Sequence, residues 1–354
     1  MKMNGTDRKE RLYYLDVLRI VAMYGVIFIH SAGMSLFSTL DPGDGHYFIY
    51  MFITELAQGA VPLFLMISGA LLLGKNESYQ TIFRDRISRM LLALIAFSFM
   101  WFVYLNLTGE QHTIGEFFIR LITDEWCVQY WYIYLYIGYL LILPLLQTLA
   151  QNLEKKTFGI FLVIAFICIE ILPFLTELGM PSVNGNLVPA TVTCMVFFYP
   201  LLGYYLDKVL DLKDNKGLQM LVMGAFTVIM IASSMWLTYR RGIYSGLNEA
   251  ATCHCTPLIN AWIFLGIKKL TEKRNVSPKT KKILIHVSQS VFGIYLLHGL
   301  VDIRIRQHID IVGILQGLHF NHMIAILAYC WVVFGVTGII SYVLRKMPLL
   351  KKIL

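Results

Sequence analysis

Apolar runs of about 20 residues recur along the whole of this 354-residue chain. That pattern constrains the fold more than any motif does. About 20 residues at about 1.5 Å each cross the ~30 Å hydrocarbon core of a bilayer. Lipid offers backbone N–H and C=O groups no water, so a segment of this kind crosses as a helix that bonds its own backbone. Composition agrees, with 57% hydrophobic and 15% charged residues, against about 45–50% and about 25% in soluble domains. The chain therefore reads as an all-α integral membrane protein, a bundle of about ten transmembrane helices. The expected spans are 12–36, 47–73, 87–107, 128–149, 158–178, 190–207, 218–239, 251–270, 287–305 and 320–344. Residues 1–354 read as one transmembrane domain, with no separate soluble domain and no internal repeat. The basic stretch Met1 to Arg11 precedes a long span without a small-residue cleavage site, so the first helix reads as retained and not as a signal peptide. Asp41-Pro42-Gly43-Asp44-Gly45 is the turn signal between the first two spans.

Orientation follows from Lys and Arg in the loops, which favour the cytoplasmic side. With the N-terminus inside, 24 of the 30 fall in inside segments and 5 outside, while Arg19 lies within a span. Both termini are then expected in the cytoplasm. The same distribution explains the net charge of +8 and removes the case for nucleic acid.

Three ionisable residues stand in or at the first span: Asp16, Arg19 and His30. Charge inside a bilayer is destabilising, so such residues face the bundle interior or a wet cavity and mark function. Arg19 and His30 are eleven residues apart, which places both on one helix stripe, roughly 16 Å apart along the axis. Asp16 is one turn before Arg19 and within pairing reach. The alternatives are Arg19 snorkelling to headgroups and His30 as a packing residue. The second span carries Glu55 at a depth comparable with His30, either as an interfacial carboxylate or as an orienting or proton-accepting partner of the imidazole. Its Pro62 and Gly69 predict a kink and close helix contact.

At the cytoplasmic start of the third span, Arg86 and Arg89 share a helix face at i and i+3. They read as positive-inside decoration or as a phosphate clamp, the planar guanidinium being suited to phosphate oxygens. Gln129-Tyr130-Trp131-Tyr132 opens the fourth span with aromatics, an interface belt or a sugar-binding surface centred on Trp131. His298 in the ninth span is a second intramembrane imidazole. The six cysteines are scattered and read as packing residues. Cys253-His254-Cys255 lacks a second pair at zinc spacing, so no metal is expected. There is no nucleotide-binding glycine loop, HExxH or GxSxG.

Taken in order, these stretches resemble the membrane acyltransferase-3 family. Leu15-Asp16-Val17-Leu18-Arg19 with His30 is similar to its R-x10-H signature. Val61-Pro62-Leu63-Phe64-Leu65-Met66-Ile67-Ser68-Gly69-Ala70 resembles its second-helix pattern. Arg86-Ile87-Ser88-Arg89 matches its RxxR motif. Gln129-Tyr130-Trp131-Tyr132 and Phe292-Gly293-Ile294-Tyr295-Leu296-Leu297-His298 resemble two further motifs. Gln129 departs from a position where the family often has His. The resemblance covers residues 13 to about 345. It implies an enzyme of the bacterial cytoplasmic membrane, akin to surface-polysaccharide O-acetyltransferases. Acetyl-coenzyme A would be the donor, held from the cytoplasm by Arg86 and Arg89. The acceptor would be a saccharide hydroxyl, on a polyprenyl-linked or surface glycan, with Trp131 and His298 near it and His30 as general base. Arg19, paired with Asp16, would supply positive charge along the donor path, and Ser31 and Ser68 are conceivable nucleophiles for an acyl-enzyme. Membrane lipids are the expected surroundings, and a homo-oligomer is left open. The alternative functions are a translocase of lipid-linked saccharide, which suits intramembrane charges and broken helices, and a structural subunit of an export machine. Repeat symmetry would favour the translocase, and a dispensable His30 the subunit.

Overall fold

A computed structural model describes residues 12–33, 47–123, 126–211, 217–245, 254–272, 276–319, 321–348 and 350–354. The Met1 to Arg11 stretch and the Asp41 to Gly45 turn signal lie outside these. The described residues are helical and contain no strand. The first span is α1 (Tyr13–Phe28), continued by a π-turn at Ile29–Gly33. The second is α2 (Tyr47–Gln58) and α3 (Ala60–Leu72). Their junction at Gly59 has a local cause: Pro62 has no N–H to give the Gln58 carbonyl one turn back, and its ring crowds that turn.

A π-turn at Ile82–Ile87 leads into α4 (Ser88–Leu107), and a short amphipathic helix, α5 (Ile114–Thr123), follows it. The next spans are α6 (Trp131–Asn152) and α7 (Lys155–Phe166), the latter joined through a π-turn to α8 (Leu172–Glu177). Then come α9 (Met195–Tyr204, with a π-turn at Tyr205–Val209), α10 (Gly217–Ser245), α11 (Thr256–Glu272), α12 (Pro278–His308) and α13 (His322–Leu344). Eight helical segments among the described residues are long and apolar enough to cross a membrane. The other two expected spans are also helical but shorter: α9, of 10 residues before its π-turn, and α11, of 17.

Two helices meet backbone to backbone. A Cβ added at Gly69 of α3 would sit 1.9 Å from the Pro200 oxygen of α9, and one at Gly203 of α9 would sit 2.0 Å from the Met66 oxygen of α3. Only glycine permits that approach, which is the small-residue logic of helix association in lipid. Nearby, Asn260 of α11 is fully buried and donates to the Gly59 carbonyl at 3.0 Å, tying α11 to the α2–α3 junction. Helix α1 packs against α3, α11, α12 and α13, so the helix bearing Asp16 and Arg19 occupies the centre of the bundle.

Candidate functional site

Arginines gather at one end of the bundle. Arg19 of α1, Arg86 of the π-turn before α4, Arg89 of α4 and Arg345 just past α13 line a cavity of 450 Å³. Arg19 Nη1 donates to Asp16 Oδ1 at 3.2 Å, the pair its spacing predicts. Asp16 is 1% exposed and also accepts from Ser288 Oγ at 2.6 Å, which fixes α1 to α12. Arg86 forms a two-pronged pair with Glu77, Nε and Nη2 each 2.7 Å from a carboxylate oxygen. Those bonds hold the Glu77 carboxyl below the usual carboxylate range. Arg89 Nε and Nη2 donate to the backbone oxygens of Ile353 and Leu354 at 2.8 and 2.7 Å. The two RxxR side chains are thus pre-oriented by protein partners while lining the cavity. Four guanidinia on one cavity, two of them paired with Asp16 and Glu77, can attract and orient an anion.

Aromatic rings share the lining: Tyr132 and Tyr136 of α6 with Phe292 and Tyr295 of α12, the Arg89 guanidinium lying 5.7 Å from the centre of the Phe292 ring. Tyr295 leads away from the cavity. Its ring lies 5.9 Å from that of Tyr132 and 6.1 Å from that of His298, and the His298 ring lies 5.6 Å from that of His30. His30 sits half-buried in the π-turn that ends the first span. Tyr295 thereby connects the arginine cavity to a pair of imidazoles. Ser68 also lines the cavity, with Oγ bonded to the Phe64 carbonyl of its own helix at 3.0 Å. Ser31 is buried beside His30 in the π-turn.

The sequence singles out Arg19, Arg86, Arg89, His30 and His298; the structure places the first three on the cavity and the two imidazoles next to each other. Sequence reasoning missed three neighbours. Arg345 read only as one of the basic residues of the inside segments, and nothing in its surroundings sets it apart from Lys346. Glu77 lies nine residues before its partner Arg86, beyond helix spacing. Asp302 lies one turn after His298 on α12, an i, i+4 signal that was legible. Asp302 is 3% exposed, accepts from Tyr329 Oη at 2.7 Å and pairs with Arg306.

Glu55 is fully buried on α2, a helix that packs against both α1 and the His30 turn. Trp131 is 38% exposed and stands outside the cavity lining, where Tyr132 takes the wall position. Gln129 has a structural place: its side chain packs on Gly299, next to His298, and its carbonyl accepts from the Tyr295 hydroxyl. Of the Cys253-His254-Cys255 stretch, Cys253 lies outside the described residues, and His254 Nε2 meets Glu177 Oε2 at 2.8 Å. Among the described residues no group of three or more His, Cys, Asp or Glu is placed to hold a metal ion.

A polytopic helical bundle with an arginine-lined cavity and a pair of imidazoles has the parts of a membrane group-transfer enzyme. The chain matches the acyltransferase-3 family, described as an acyltransferase domain, over residues 12–344, and it belongs to that family. It is a multi-pass membrane acyltransferase. No curated protein and no solved structure matches it.

Proposed function

We propose that the protein transfers an acyl group, acetyl being expected, from cytoplasmic acyl-coenzyme A to a hydroxyl of a lipid-linked or cell-surface saccharide. The membrane is then the bacterial cytoplasmic membrane, with the arginine-lined end facing the cytoplasm. The observation that carries this reading is the connection of a four-arginine cavity to the His30–His298 pair through Tyr295.

The arginines suit the phosphates of a coenzyme A thioester, as charge-assisted bonds to phosphate are among the strong ones. The aromatic wall suits the apolar pantetheine arm that carries the acyl group toward the imidazoles. His30 acts as general base. Its ring takes the hydroxyl proton as the oxygen attacks the thioester carbon, the C–S bond breaks, and the proton ends on the departing sulfur. Both products are neutral at the reacting atoms, and no further reactant is needed.

The test uses purified protein in detergent with radiolabelled acetyl-coenzyme A and a polyprenyl-linked saccharide. Thiol release with labelling of the acceptor is expected. In His30→Ala, turnover should fall by roughly 10²–10⁴, the range of a positioned base, while donor binding persists. Full activity in His30→Ala would remove that base. Saccharide movement across vesicles without labelling would instead favour a translocase.

A further inference from the structure

His298 is placed to do more than pack beside His30. It is 1% exposed, and its Nδ1 lies 2.7 Å from the Tyr295 carbonyl of its own helix. A carbonyl only accepts, so Nδ1 carries the hydrogen and the neutral ring keeps its lone pair on Nε2. Nε2 has no hydrogen-bond partner among the described residues. A buried acceptor left without a donor destabilises a fold, and such an atom is placed to take up a proton.

Its position says which donor. Tyr295, one turn earlier on α12, lines the arginine cavity and contacts the His298 ring. The His30 ring lies 5.6 Å from that of His298, a separation that one water can bridge between their nitrogens. His298 is thus the imidazole on the donor side of the pair.

We infer that His298 is a second catalytic residue of the proposed acyl transfer, carrying the proton from His30 to the sulfur of the leaving thiol. The inference rests on the function proposed above. The acceptor O–H bond breaks and its proton goes to His30. The acceptor oxygen bonds the acyl carbon. The proton passes to His298 Nε2 and then to sulfur as the C–S bond breaks. Both imidazoles end neutral.

The test is His298→Asn, whose amide N–H replaces Nδ1–H toward the Tyr295 carbonyl but leaves nothing at Nε2. Melting temperature and acetyl-coenzyme A affinity should be unchanged, and kcat should fall roughly 10²–10⁴-fold. The specific readout is a donor whose leaving group needs no proton, S-acetyl 4-nitrothiophenol. With it the deficit in kcat/KM of His298→Asn should nearly vanish, whereas His30→Asn should stay impaired with both donors. An equal deficit with both donors, or wild-type activity in His298→Asn, would overturn the inference. If His30→Asn is then still inactive, the proposed function survives; if it is active too, the imidazole chemistry fails as a whole. Should His298→Asn not fold, His298→Gln carries the same expectations, because an amide at the Nε2 position accepts no proton. Misfolding of both variants would make His298 a packing residue and overturn it equally.

Discussion

Arg86 and Arg345 stand at one cavity for different reasons, and substitution should separate them. Arg86 is paired with Glu77, so Arg86→Ala removes a phosphate contact and also leaves a carboxylate beside the site. Arg345 lines the cavity near the amide of Gln289, with Arg345 Nη2 to Gln289 Oε1 at 3.4 Å. Loss of one charge-assisted contact is worth roughly 1.5–3 kcal/mol, about tenfold or more in affinity. Isothermal titration with acetyl-coenzyme A should show at least that loss in either variant. Glu77→Ala added to Arg86→Ala should recover part of it, and no recovery would show that Glu77 lies too far from the donor to matter. Because the folded state holds Glu77 below its ordinary carboxylate value, the Glu77–Arg86 pair stabilises the protein above the ordinary carboxylate range. That contribution is lost as pH falls through the depressed value, and Glu77→Gln should flatten this part of the acid-stability profile. At this scale the sequence exposed the residues whose chemistry is rare in a membrane, namely Asp16, Arg19, His30 and His298. It hid Glu77 and Arg345, whose meaning comes only from packing between elements distant in the chain.

The helices were legible because hydrophobic length is a direct demand of the bilayer. Their irregularities were less so. Pro62 signalled a kink, which appears three residues earlier at Gly59, where the missing N–H is felt. The π-turn that holds His30 had no signature in composition, since a widened turn is stabilised by its neighbours and not by local residue preference. Gly69 was expected at a close helix contact, but its partner Gly203 lies on α9, and nothing in either segment names the other. The contact predicts a sharp penalty. A side chain at Gly69 meets backbone, which cannot rotate aside, so Gly69→Val should exceed the usual overpacking loss of about 1–3 kcal/mol. Thermal unfolding in detergent should show a large drop in melting temperature, and a drop no greater than that of Gly138→Val, where the Cβ position is open, would contradict this.

For the molecule as a whole, charge asymmetry between loops and the gathering of Arg19, Arg86, Arg89 and Arg345 at one end point the same way. The first comes from counting Lys and Arg along the chain, the second from three-dimensional packing. On the proposed function that end faces the cytoplasm, where acyl-coenzyme A would be taken up, and α5 lies on the other side. A cysteine at Lys352 should resist a membrane-impermeant maleimide in intact cells, while one at Glu116 in α5 should react; the reverse pattern would invert the topology. The family was legible because its short motifs are spread along the chain in a fixed order, whereas the meeting of His30 with His298 needed the bundle to be closed.

Arg89 draws its two backbone acceptors from Ile353 and Leu354, and the Leu354 side chain lies in the cavity wall. This matters for anyone handling the protein. If the cavity takes the acyl donor as proposed, an affinity handle or fluorescent fusion attached after Leu354 is anchored beside it and crowds Arg89. Preparations tagged there should give weaker donor affinities than untagged material, and cleaving the tag should restore them. The same anchoring makes that point a useful one for an environment-sensitive dye, whose emission should change as acyl-coenzyme A fills the cleft.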